Sequence, residues 1–404
     1  MEEVAYSNMD LTVVGIGNHP QLQLSSDIEN LINTGKVFSG GKRHYEIVQS
    51  ILPKDHIWIE ISGAMQKVIS SFTQYDQKVI IFASGDPLFF GFGNTIKRLL
   101  PEAKMTVYPY FNSIQRLAHK TQVNYSDIKT ISLHGRHTWK PLDISLIQGE
   151  SLIGILTDND HSPQKIAKRL LEHNYTNYQV IVGEELDGSD EKIQILSLEN
   201  AQALHEVKKL NCILLIKKAE LFIPRSFEDR SFQTLEGRPG MITKQSIRTL
   251  SLESLSLWDK SCFWDIGSCT GAIAIEAKLN YPKLNVFAFE KRIECEDIID
   301  SNTKSHFCPG VNISINDFFD EDLNSYSVPN AVFIGGHGNR LRELIVKVDK
   351  VLQENGIVVM NTILEKSYQT FMAVFDELKY ELKHPVKIKL NEYNTVHILV
   401  AQKI

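Results

Sequence analysis

Along this chain, short apolar runs recur without the in-and-out alternation of a strand that has one wet face. Leu11-Thr12-Val13-Val14, Val79-Ile80-Ile81-Phe82, Leu152-Ile153-Gly154-Ile155-Leu156 and Gln179-Val180-Ile181-Val182 are examples, each separated from the next by segments long enough for helices. A strand that is apolar at successive positions is covered on both faces, which requires helices on both sides of a largely parallel sheet. An α/β architecture is therefore expected. With 404 residues the chain exceeds what one hydrophobic core supports, so two large domains are expected, the first itself two-lobed.

Composition removes several classes. Hydrophobic residues make up 43% and charged residues 23%, an ordinary globular balance that leaves neither disorder nor a fibrous repeat. Apolar runs such as Cys212–Ile216 stop far short of the roughly 20 residues that cross a bilayer. Met1-Glu2-Glu3-Val4 lacks the basic-then-apolar layout of a secretory signal. A cytoplasmic protein with no membrane partner is expected. The formal net charge of −6 argues against nucleic acid as a partner. Five cysteines without a Cys-x-x-Cys pair, and 13 scattered histidines, suggest neither a disulfide framework nor a protein-bound metal.

Between Lys217 and Gly240 the pattern lapses into polar, turn-rich sequence, and residues 218–235 read as a linker between a domain over 10–217 and another over 236–404. A helix is expected from about Lys244 with Thr243 as its N-cap. Strands follow at Cys262–Ile266, Asn285–Phe289, Val311–Ile315, Ala331–Ile334 and Ile357–Met360, with a helix over Ala272–Leu279 and late strands near Val386–Lys389 and Val396–Ala401. That order spells a doubly wound sheet closed by an antiparallel pair.

Trp264-Asp265-Ile266-Gly267-Ser268-Cys269-Thr270-Gly271-Ala272 places two glycines where the strand turns into the helix, so that backbone can approach a ligand at the carboxyl edge of the sheet. A pyrophosphate calls for Gly-x-Gly-x-x-Gly, and here the middle glycine is missing, which disfavours a nicotinamide cofactor. A nucleoside without phosphates fits better. S-adenosylmethionine is such a ligand: Glu290 at the end of the second strand can accept both ribose hydroxyl protons, and Asp317 after the third lies where an adenine edge would. Each feature has a plainer reading, the glycines as a tight turn and Asp265 and Asp317 as turn caps.

At these residues the sequence resembles a known family. Glu236-Gly237-Arg238-Pro239-Gly240-Met241-Ile242-Thr243-Lys244, Ile247-Arg248, the Trp264–Gly271 loop and Phe333-Ile334-Gly335-Gly336 are similar to the decarboxylating precorrin methyltransferase domain of cobalamin biosynthesis. The resemblance covers nearly all of residues 224–404. It implies a class I (Rossmann-like) methyltransferase fold whose S-adenosylmethionine site is lined by Thr243, Asp265, Gly267, Ser268, Cys269, Thr270, Gly271, Glu290, Asp317 and Phe318. Cys269 stands where the family has a smaller residue, and His337 where glycine or serine is usual. The Asn361–Glu365 strand end is a looser match.

In the first half, Leu11–Asn18 runs a strand into Gly15 and Gly17, and Ala83-Ser84-Gly85-Asp86-Pro87-Leu88-Phe89-Phe90-Gly91-Phe92-Gly93 puts a rigid turn directly after a buried strand. Together with Pro109–Gln115, Ser132-Leu133-His134-Gly135-Arg136, Leu156-Thr157-Asp158 and Gly183–Gly188, these resemble the tetrapyrrole methylase family over roughly residues 10–216, most closely its precorrin-6Y branch. The resemblance implies a two-lobed α/β methylase with Gly15, Gly85, Asp86 and Ser113 at the S-adenosylmethionine site. Asn18-His19-Pro20 departs from the family's proline-glycine. Phe89, Phe90 and Phe92 are expected to be core rather than ligand wall.

Joined, the two resemblances imply methylation of a precorrin-type tetrapyrrole at carbon 5 by the first half and at carbon 15 by the second, with loss of the ring C acetate carboxyl. A polycarboxylate substrate needs guanidinium forks. Arg136 is the leading candidate, with Lys42-Arg43-His44, Arg238, Arg248, Arg340 and Arg342 behind it, and His337 is the candidate acid for the decarboxylation. Two other readings stay open: that the second domain methylates a nucleic acid or protein, and that one half only binds tetrapyrrole. Homo-oligomerisation and the presence of cobalt in the macrocycle are left undecided.

Overall fold

Burial on both faces organises the first sheet. In the computed structural model, which describes residues 9–19, 22–390 and 394–404, strands β1 (Asp10–Ile16), β2 (Val37–Gly40), β3 (Ile57–Glu60), β4 (Val79–Ser84) and β5 (Lys104–Tyr108) form a parallel sheet ordered β3-β2-β4-β1-β5. Successive residues enter different cores: Leu11, Val13, Val79 and Ile81 on one face, Val14, Ile16, Ile80 and Phe82 on the other. Each such side chain contributes about 1.5–3 kcal/mol when buried, which is why these strands do not alternate. Met1–Val4 and Pro20 lie outside the described residues.

A second sheet contains β6 (Lys129–Ser132), β7 (Leu152–Leu156), β8 (Tyr178–Glu184), β9 (Lys192–Leu196) and β10 (Asn211–Lys217), ordered β6-β7-β10-β8-β9. Here β10 runs antiparallel to both its neighbours. Before its strands comes the helix Ser113–Thr121, whose start is locked reciprocally: Asn112 Oδ1 accepts from the Gln115 N–H at 2.9 Å, and Gln115 Oε1 accepts from the Asn112 N–H at 3.0 Å.

The third sheet contains β11 (Cys262–Ile266), β12 (Asn285–Glu290), β13 (Val311–Ile315), β14 (Ala331–Ile334), β15 (Ile357–Thr362), β16 (Glu381–Leu382), β17 (Val386–Ile388) and β18 (Val396–Gln402). Its order is β13-β12-β11-β14-β15-β18-β16, with β17 also on β18, and β18 is antiparallel to its partners. This is the expected doubly wound sheet with an antiparallel closure. Trp264 and Ile266 face a core with the helices Leu341–Asp349 and Glu365–Glu377, while Phe263 faces a core with Gln245–Ser254 and Ala272–Asn280.

Packing gathers the chain into two units. The first runs to His137 and includes Ser151–Lys168 and Tyr178–Lys218; the second holds Thr138–Glu150, Arg169–Asn177 and Ala219–Ile404. In the second, the polar stretch after Lys217 has little regular structure, but Phe232 is buried and stacks on His306 with ring centroids 4.2 Å apart. This stretch also corrects the expected cap. The helix begins at Gln245, and the residue before it, Lys244, caps nothing with its side chain. Instead Asp229 Oδ1 accepts from the Gln245 N–H at 2.9 Å, a tertiary cap that displaces Thr243.

Candidate active sites

In the first unit, the carboxyl ends of β1 and β4 open onto a cavity of about 470 Å³. Ile16 ends β1 with Gly17 and Asn18 after it, Ser84 ends β4 with Gly85 after it, and Asn112 and Ser113 start the locked helix; the strands of the second sheet and the residues just after them add His134, Thr157, Gly183 and Glu185. Of the expected cofactor residues, Gly85 and Ser113 lie on this wall. Gly15 lies behind it: a Cβ there would stand 2.0 Å from the Gly85 carbonyl oxygen, so its bareness lets two loops touch. Asp86 closes its own turn, its Oδ1 accepting from the Leu88 N–H at 2.8 Å.

The aromatic expectation holds in part. Phe89 and Phe92 pack against hydrophobic cores while also bordering the cavity, whereas Phe90, in left-handed backbone (φ 53°), is 47% exposed on its wall. Arg136 is exposed and off the wall, while its neighbour His134 is on it, with Nδ1 3.0 Å from the Thr157 carbonyl oxygen. Arg43, Arg116 and Lys209 are the wall's Arg and Lys side chains. Arg116 and Lys209 went unremarked in the sequence; Arg116 pairs with Asp187 and lies over the Tyr110 ring at 5.3 Å.

In the second unit, Gly267 separates two cavities. One, of about 340 Å³, is lined by Thr243, Asp265, Ser268, Cys269 and Thr270; the other, of about 240 Å³, by Glu290, Asp317, Phe318 and His337. Gly267, Arg292 and Gly336 border both. At Gly267 (φ 76°) a Cβ would stand 2.6 Å from the Gly336 amide nitrogen, so only glycine lets the loops after β11 and β14 close together. Gly271 lines neither cavity; with φ 77° it turns the chain into the helix Ala272–Asn280.

The acids differ in state. Burial pushes the Asp265 carboxyl up to about 7, although the Ser268 hydroxyl donates to it at 2.6 Å. Burial also pushes Glu290 up, but hydrogen bonds from Arg292 and the Cys269 N–H outweigh it and leave the group below its usual range. Glu290 Oε1 accepts from the Lys291 and Arg292 N–H groups and from Arg292 Nε, and Oε2 accepts from Arg292 Nη2 at 2.8 Å and the Cys269 N–H at 3.0 Å. Its oxygens are thus saturated, and a ribose would reach them only by displacing Arg292. Asp317 caps its own turn, with Oδ1 accepting from the Phe319 N–H at 3.1 Å. His337 Nε2 is 3.3 Å from Ser367 Oγ, and burial holds this imidazole below its usual pKa.

Residues 236–397 match the family model described as the precorrin methyltransferase domain, and residues 10–202 that of the tetrapyrrole (corrin/porphyrin) methylases. A precorrin-6Y C(5,15)-methyltransferase (decarboxylating) of a Sinorhizobium species is 27% identical over 361 residues, 87% of this chain and 84% of that protein. A cobalt-precorrin-6B C(15)-methyltransferase (decarboxylating) of Salmonella typhimurium is 31% identical over 139 residues, 34% of this chain and 71% of its own. The same organism's cobalt-precorrin-7 C(5)-methyltransferase is 24% identical over 197 residues, 49% of this chain and 95% of its own. The chain belongs to the precorrin-6Y C(5,15)-methyltransferase (decarboxylating) family. It is a methyltransferase.

Within this family member, the arginines singled out from the sequence divide sharply. Arg248 is wholly buried: its Nε donates to Glu276 Oε1 at 3.0 Å, and its Nη1 to Asp229 Oδ1 at 2.8 Å and to the Thr243 carbonyl at 2.6 Å. It is a structural tie and cannot reach a substrate. Arg342 is spent on Glu377, and Arg340 on Glu343, although Arg340 also lies over the Phe319 ring at the 240 Å³ cavity. Arg238 is exposed, its Nη1 3.8 Å from Met241 Sδ. Among the described residues, no helix is long and apolar enough to cross a membrane, and no group of His, Cys, Asp and Glu side chains is set to hold a metal ion.

Proposed function

We propose that the chain uses S-adenosylmethionine to methylate a precorrin-6-type macrocycle twice, at carbon 5 in the first unit and at carbon 15 in the second, where the ring C acetate also loses carbon dioxide, as a step of corrin assembly. The observation that carries this is a cavity at the carboxyl edge of a parallel sheet in each unit, the one bordered by Ser84, Gly85 and Ser113, the other by the Gly267 loop. Part-length relatives named for a single transfer each support the same division.

The surroundings of Gly267 fit a sulfonium nucleoside: the bare backbone of Gly267 and Gly336 borders both cavities, and the acids Asp265, Glu290 and Asp317 line them. When bound, that cofactor supplies an electrophilic methyl group. Thr243, Ser268 and Thr270 would offer polar contacts along the loop, Glu290 would take the ribose once Arg292 moves aside, and Phe318 would cover the base. The chain's task in both transfers is alignment and exclusion of water. For the decarboxylation, electrons flow into the conjugated ring and a proton must return to the exocyclic carbon; His337 with Ser367 is the pair suited to hold it.

Mass spectrometry of the product made from the reduced precorrin-6 substrate and S-adenosylmethionine tests the reading. Two methyl groups gained and one carboxyl lost are expected; a product with a single methyl group would confine catalysis to one unit.

A further inference from the structure

Arg43 faces the 470 Å³ cavity without an acidic partner. That sets it apart from the cavity's other arginine, Arg116, which pairs with Asp187, and from Arg292 beside Gly267, which is held by Glu290. Burial lowers the Arg43 pKa, the mark of a cation that has given up water without a full partner, and Glu185 compensates only through space. The spacing is built in. Asn18 stands between them, its Oδ1 accepting from Arg43 Nη1 at 3.1 Å while its Nδ2 donates to Glu185 Oε2 at 3.1 Å.

Ser84 completes the arrangement. His44 Nδ1 accepts from the Gly41 N–H at 3.1 Å, so the ring proton sits on Nε2, which donates to Ser84 Oγ at 2.9 Å. Burial and the neighbouring Arg43 charge push His44 down to about 4, which keeps this ring neutral. Arg43 Nη2 donates to the same oxygen at 2.6 Å. With both lone pairs taken, the Ser84 hydroxyl proton has nowhere to go but outward, and Ser84 lies on the cavity wall.

We propose that Arg43 and Ser84 form a carboxylate clamp that positions a ligand for the carbon-5 transfer. A guanidinium with free N–H donors beside a hydroxyl left only its proton to offer favours a carboxylate over a neutral acceptor, because charge-assisted hydrogen bonds are about twice as strong. The inference rests on the methylation reading above. Two sources can supply the carboxylate, an acetate or propionate arm of the macrocycle or the methionine end of the methyl donor.

The test is steady-state kinetics of carbon-5 methylation by the full chain, with macrocycle and S-adenosylmethionine varied in turn, for Arg43→Gln and Ser84→Ala. A KM raised about ten- to hundredfold for Arg43→Gln, with kcat changed less than about threefold, is expected. If the rise falls on the macrocycle, the clamp holds its arm; if on S-adenosylmethionine, it holds the donor's carboxylate. Ser84→Ala should raise the same KM by a smaller factor, and Arg43→Lys should recover part of the loss. A merely structural role would lower kcat or the melting temperature and leave both KM values alone. Unchanged KM values in Arg43→Gln and Ser84→Ala, with a wild-type chain that methylates normally, overturn the clamp, whereas a wild-type chain that methylates no macrocycle overturns the functional reading itself.

Discussion

Asp265 shows what burial does to a group the sequence could only place. Its carboxyl is 1% exposed at the end of β11 and is pushed up to about 7. The unfolded group titrates near 4. Because the folded carboxyl keeps its proton to a higher pH, its contribution to stability is fully present below about pH 4 and is lost as pH rises toward 7. Asp265→Asn should therefore flatten the fall of melting temperature across that window, as thermal unfolding at a series of pH values would read; an unchanged slope would contradict it. The glycine loop and its acids were legible because the signal is local: residue types at a strand end suffice to suggest a ligand. Arg136 and Arg248 were misjudged because a guanidinium's role depends on what surrounds it. The partners of Arg248, Asp229 and Glu276, approach only through the tertiary fold.

The strands were the most readable elements. Cys262–Ile266 and Ala331–Ile334 form with the bounds their apolar runs suggest, since burial on both faces leaves a mark that needs no partner to be recognised, and the edge strand Val311–Ile315 was legible instead from its alternation of apolar and polar residues. The start of Gln245–Ser254 was not readable, because its cap comes from Asp229. That helix is tied to Ala272–Asn280 by the buried Arg248–Glu276 pair. Removing one member leaves an uncompensated buried charge, which costs about 3–5 kcal/mol. Arg248→Met should lose that much in a denaturant titration, and adding Glu276→Gln should restore part of it. Equal losses in single and double variants would show that the pair is not the tie.

The whole molecule is an α/β chain of two units; length suggests more than one core, but the lapse after Lys217 does not reveal that Thr138–Glu150 and Arg169–Asn177 pack with the second unit, because that grouping is made only by tertiary contacts. The interior of the cavities could not be anticipated, since Asn18, Arg43, Ser84 and Glu185 come from elements far apart in the chain, a loop, a helix, a strand end and another loop. With the two transfers assigned to cavities in different units, Glu290→Ala should abolish the carbon-15 transfer and leave the carbon-5 rate within about twofold, measured as singly methylated product; loss of both transfers would contradict separate sites. Strand order carries a last consequence. β10 lies between β7 and β8, and β18 between β15 and β16, so in both sheets an inner position is filled by the strand latest in sequence. As a ribosome releases the chain, β7 and β8, and later β15, must wait with open edges until that closing strand arrives. Such edges invite wrong pairing. Neither sheet can be completed in stages, and a fragment cut before Asn211 would lack the staple that joins its two sides.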